Sequence, residues 1–171
     1  MDACAALDKG ELVSSKDNIT IRFLEDRDRG AIQENVKEFI AYIAQLCGKE
    51  LDDSPEKTEE VATELLSANS STQVIVAERD GKLDGFLSYF PAFWVEENTK
   101  SYMVSAFSVS SKKRGSGVGR KLFSHLVSQA KEDGVGQVIL TVHHNNAGAL
   151  KFYDKFGLIH YEDERIMLVD F

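Results

Sequence analysis

At 171 residues the chain is long enough to bury one complete core and too short to require a second domain. Its 28 acidic residues outnumber 20 basic ones for a net charge of −8, which argues against non-specific nucleic-acid binding and mildly favours a cationic partner. No apolar run could span a membrane and no leader pattern opens the chain, so a cytoplasmic, non-secreted protein is expected, with Cys4 and Cys47 as free thiols.

Residues 1–17 are small, polar or charged without periodicity and read as a flexible extension; residues 18–171 read as the domain. Ile19 to Phe23 alternate as a first strand. Ile32, Val36, Phe39, Ile40, Ile43 and Leu46 then mark one face of a long helix. Ser54-Pro55 opens a second helix, with serine as the cap and proline at the first helical position. A strand from Gln73 to Glu78 turns at Asp80-Gly81 into one from Leu83 to Trp94, and residues 96–100 turn back into a strand ending at Val109.

Next comes Arg114-Gly115-Ser116-Gly117-Val118-Gly119-Arg120, opening a helix with apolar residues Leu122, Phe123, Leu126, Val127 and Ala130. At such a strand-to-helix turn the first helix amides lack internal partners and the dipole is positive, so an anion fits there. The three glycines clear side chains away from those amides, and Arg114 and Arg120 add positive charge. A triphosphate P-loop would need Gly-Lys-Ser/Thr at its end and a dinucleotide fingerprint a third glycine where Arg120 stands, so neither fits.

Beyond Gly134, Gln137 to Val142 is a β-branched run suited to a buried strand. His143-His144-Asn145-Asn146 leads into a short helix capped by Asn145 or Asn146. On it Asn146, Ala149 and Tyr153 share one face, and Phe152 points elsewhere. With the last segment read as strand, the order is βααβββαβαβ(β).

These two stretches resemble the GNAT superfamily of N-acetyltransferases, whose loop reads Arg/Gln-x-x-Gly-x-Gly/Ala and whose later helix carries Asn-x-x-Ala-x-x-Phe-Tyr-x-Lys-x-Gly-Phe. The corresponding residues here are Arg114, Gly117 and Gly119, then Asn146, Ala149, Phe152, Tyr153, Lys155, Gly157 and Leu158. The resemblance implies an α/β (mixed α+β) fold: a mostly antiparallel mixed sheet, splayed in a V, with helices on both faces. It implies acetyl-CoA as cosubstrate, no metal, and transfer of acetyl directly to a primary amine, be it a small amine, a diamine or polyamine, or a lysine side chain. A homodimer is compatible with it. The alternative is a module of the same fold that binds acyl-CoA without turning it over.

The same resemblance implies site residues. The coenzyme would meet the backbone of Phe107, Ser108 and Val109, the loop residues Arg114, Gly115, Ser116, Gly117, Val118, Gly119 and Arg120, and Asn146, Ala149, Phe152, Tyr153 and Lys155. Tyr153 is the candidate general acid for the departing thiolate, and the Val109 amide the candidate oxyanion donor. Weaker similarity to the diamine and polyamine branch carries a departure: its acidic pair before the loop is replaced by Ser105 and Ala106. The base is therefore sought in His143, His144 or a water relay, and an apolar acceptor pocket in Tyr89, Phe90, Phe93, Trp94 and Tyr102.

Overall fold

The computed structural model describes residues 18–160. Strands β1 (Thr20–Phe23), β2 (Gln73–Arg79), β3 (Lys82–Trp94), β4 (Thr99–Val109) and β5 (Gln137–Leu140) form one sheet in the order β1-β2-β3-β4-β5. The first four pair antiparallel in succession, and β5 joins β4 in parallel. Helices α1 (Arg29–Cys47), α2 (Pro55–Leu66), α3 (Val118–Glu132) and α4 (Ala147–Asp154) complete the described elements, with 3-10 turns at Asp26–Asp28 and Ser111–Lys113. The expected terminal strand after Leu158, like the extension over residues 1–17, lies outside the described residues.

Alternation along β2 shows why helices cover both faces. Val74 and Val76 pack with Ile32 and Val36 of α1 and Ala62 of α2, whereas Ile75 and Ala77 pack with Leu122, Phe123 and Leu126 of α3. Burying each such aliphatic side chain contributes roughly 1.5–3 kcal/mol. The β2–β3 turn is tight because Asp80 and Gly81 both take positive φ, 51° and 73°. Ser54 caps α2 by accepting from the Lys57 amide at 3.3 Å, with Pro55 at the first helical position.

Beneath the start of α1, Arg22 of β1 forms a two-pronged pair with Asp28, at 2.6 and 2.8 Å, and its Nε reaches Glu78 of β2 at 2.6 Å. This half-buried cluster ties the first strand to the helix that follows. Toward the other edge, Tyr102 donates to Asp133 beyond the end of α3 and packs against Tyr89 in a tilted pair, 4.7 Å between ring centres.

Candidate active site

The β4–β5 ladder runs from Ser101↔Gln137 to Val104↔Leu140 and goes no further, although β4 continues to Val109. β5 therefore ends at Leu140, two residues short of the β-branched run that predicted it. The reason lies on β4. Its pairing with β3 jumps from Ala106↔Ser88 to Val104↔Tyr89, making Ser105 the extra residue of a bulge. The Ser105 hydroxyl lies 2.8 Å from that of Ser88, which is buried, so the bulge is tied down from below.

Past the bulge, the Ser110 amide donates to the Asp84 carbonyl at 2.9 Å, which sets the phase of the β3–β4 ladder. In an antiparallel pair the bonded rungs alternate. With Ser110 and Ser108 turned toward β3, the backbone groups of Phe107 and Val109 point away from it, toward the side that β5 has left. Gly85 permits this close pairing, since a Cβ there would stand 2.5 Å from the Ser108 carbonyl.

The divergence opens a cleft of about 110 Å³. Its walls are Val104 to Phe107 of β4, Leu140 to His143 at the end of β5, Asn146, Ala149 and Tyr153 of α4, and Phe39, Tyr42, Ile43 and Leu46 of α1. The expected face of α4 is thus on the cleft. The aromatic residues proposed for an acceptor pocket are not: Tyr89 and Tyr102 are buried in the core, and Phe93 stands exposed near the β3–β4 turn. Helix α1 supplies the apolar wall of the cleft instead.

At the upper end of β4, the Ser111–Lys113 turn leads to Gly115 and Gly117, with φ of 78° and 85°. A Cβ on either would touch nothing within 4 Å, so it is backbone conformation rather than crowding that calls for glycine. Gly117 is the N-cap of α3 and brings no side chain to the first-turn amides. Gly119 differs from the expectation of an open loop. It faces Val109, Phe107 and Phe152 at 3.5–3.6 Å from where a Cβ would be, and is a packing position. Val118 is wholly buried under the loop, whereas Arg114 and Arg120 are exposed and Ser116 donates to the Lys113 carbonyl at 2.6 Å.

On α4, the Asn146 side chain accepts from the Ala149 amide at 3.1 Å as the helix cap. Tyr153 is 8% exposed, and burial pushes its phenol up to about 12. Among the described residues no hydrogen-bond partner is found for its hydroxyl, and its ring packs on Phe123 at 5.6 Å. Phe152 joins the aromatic cluster of Phe107, Phe123 and Phe156, away from the cleft. Lys155 sits exposed at the C-cap. His143 lines the cleft and His144 is exposed; the two rings stack at 4.4 Å. Nδ1 of His143 accepts from the Asn145 amide at 3.2 Å, which in a neutral ring leaves the proton on Nε2.

Two residues of α1 belong to this site without any sequence signal having pointed to them. Glu38 is partly buried, which would raise its carboxyl, but the Ser111 amide at 2.6 Å and the nearby serine hydroxyls hold it below the usual range. One turn on, Tyr42 donates to Asn146 Oδ1 at 3.0 Å, and the Arg114 guanidinium lies 4.6 Å from the centre of its ring.

A sheet that opens past one rung, a glycine loop at the head of the helix beneath the opening, and a tyrosine-bearing helix across from it together define an acyltransferase fold. Residues 37–158 match the acetyltransferase (GNAT) family, and the chain belongs to that family. It is 34% identical over 90 residues to a streptothricin acetyltransferase of Streptomyces lavendulae, covering 53% of this chain and 45% of that protein. It is 26% identical over 96 residues to the uncharacterized N-acetyltransferase YhfO of Bacillus subtilis (strain 168), covering 56% and 62% respectively. The chain thus matches about half the length of these curated relatives. In fold it is similar to an aminoglycoside acetyltransferase from an uncultured soil metagenomic sample, solved in complex with sisomicin, at a TM-score of 0.69, 18% identity and coverage of 90% and 97%.

Proposed function

We propose that this protein is an acetyl-CoA-dependent N-acetyltransferase that acts directly on a primary amine. The observation that carries the proposal is the outward-turned backbone of Phe107 and Val109, which leads from the Tyr153 cleft to the Gly115–Gly117 turn. A chain of amides the length of pantetheine can pair with that edge as an added strand, delivering a pyrophosphate to the first amides of α3. Acetyl-CoA, when bound, supplies the activated acyl group. The Val109 amide is suited to hold negative charge on the carbonyl oxygen, and Tyr153, protonated at working pH, donates to the leaving sulfur.

For the acceptor, the similarity in sequence to a streptothricin acetyltransferase supports a small-molecule amine. The net charge of −8 also favours a cationic substrate. A panel of amines, including diamines, polyamines, aralkylamines and amino-sugar antibiotics, scored by coenzyme A thiol release, tests this. Turnover with at least one small amine is expected. Coenzyme binding without turnover across the panel would establish the binding-module alternative instead.

A further inference from the structure

We propose that Tyr42 is a latch across the coenzyme cleft, an inference that rests on the coenzyme reading above. Its side chain joins two elements that the cleft separates. The hydroxyl donates to Asn146 Oδ1 at the head of α4, and the ring lies under the guanidinium of Arg114 at the phosphate-side loop. Arg114 in turn donates from Nε to the Val109 carbonyl at 3.3 Å, on the same outward-facing edge of β4. Of the groups that would serve the coenzyme, the Asn146 amide oxygen and the Arg114 cation are thereby both engaged by a single phenol, and Arg114 itself covers the Val109 carbonyl.

With these contacts made, the cleft encloses about 110 Å³, well below the roughly 300 Å³ at which sites for sizeable ligands begin. Entry of a pantetheine arm along β4 requires the Tyr42–Asn146 bond to open and Arg114 to swing from the ring to the phosphates. Glu38, one turn earlier on α1, holds the Ser111 amide at 2.6 Å, so the helix is anchored to the loop while Tyr42 moves. Coenzyme affinity is then reduced by the fraction of molecules in which the latch is closed.

Calorimetry with coenzyme A on the wild type, Tyr42→Phe and Tyr42→Leu tests this, with circular dichroism confirming that each variant is folded. Phenylalanine removes only the bond to Asn146, and binding is expected to tighten roughly three- to tenfold. Leucine also removes the ring under Arg114, leaving that cation only its bond to the Val109 carbonyl, and is expected to tighten binding at least as much, so either variant alone can decide the matter. A residue with a merely structural role would leave affinity unchanged or weaken it. Wild-type or weaker binding by the folded variants overturns the latch while leaving the coenzyme reading intact. Failure of the wild type itself to bind coenzyme A overturns both.

Discussion

Val104 faces Leu140 at the last rung joining β4 to β5, and the next residue, Ser105, is the bulge that turns β4 away. Everything proposed for the site follows from that divergence. Had the ladder continued, β5 would have covered the backbone of Phe107 and Val109, and α4 would have had no cleft to face. The Ser88–Ser105 contact holds the bulge in place from the β3 side.

Gly117→Asp is expected to weaken coenzyme A binding by at least tenfold. Its φ of 85° strains any other residue, at a cost of roughly 1–2 kcal/mol, and the carboxylate would stand where the phosphates are to sit. Gly119→Ala provides the contrast. Its new methyl would make only ordinary contacts at 3.5–3.6 Å, so both stability and affinity should change little. Calorimetry and thermal melting of the two variants separate these outcomes. Equal affinities would remove the anion from the loop.

Tyr153→Phe should lower turnover by about a hundredfold while sparing coenzyme affinity, since the ring packing against Phe123 survives and only the donated proton is lost. Burial pushes the phenol up to about 12, so the group stays protonated through neutral and mildly alkaline pH. The wild-type rate should accordingly show no alkaline fall from this residue up to pH 10. A variant turning over at the wild-type rate would make Tyr153 a core residue only.

The helical spacing of Asn146, Ala149 and Tyr153 was enough to place them on one wall, because a single short helix sets their relation. The same local rule placed Phe152 off that wall, where it packs with Phe107 and Phe123. What propensity could not locate was the end of β5. Thr141 and Val142 favour a strand, yet they lose their partner when β4 bulges, and a bulge depends on register across two strands. Tyr42 was hidden for a related reason. It reads as one more residue beside the apolar stripe of α1, and its partner Asn146 is 104 positions away. The aromatic residues of β3 show the converse: rich in character, Tyr89 goes to the core cluster and Phe93 to solvent, and neither lines the cleft.

Asp28→Asn should cost about 2 kcal/mol at neutral pH, less than the roughly 3–5 kcal/mol of a fully orphaned charge because Glu78 still pairs with Arg22. The Arg22 guanidinium holds the Asp28 carboxyl below its usual range, so the folded state binds that proton more weakly than the unfolded chain does. This contribution is complete above about pH 4 and drains as pH falls below it. Urea unfolding at pH 7 and pH 3 should therefore show the wild type losing more stability than the variant. Equal losses would mean that the pair contributes nothing to acid sensitivity.

The acceptor amine must lose a proton before it can attack the thioester. His143 is the ionisable side chain of suitable chemistry on the cleft wall, but its Nδ1 lone pair is engaged by the Asn145 amide and its proton then sits on Nε2. To take a proton it would first have to break that bond. We therefore expect His143→Gln and His144→Gln each to keep the wild-type rise of rate with pH, the proton passing to water as the ammonium group becomes the neutral amine. The full profiles with a turned-over amine decide it. Loss of a limb of the profile in His143→Gln alone would assign the base to that imidazole, and would require the Asn145 contact to open during turnover.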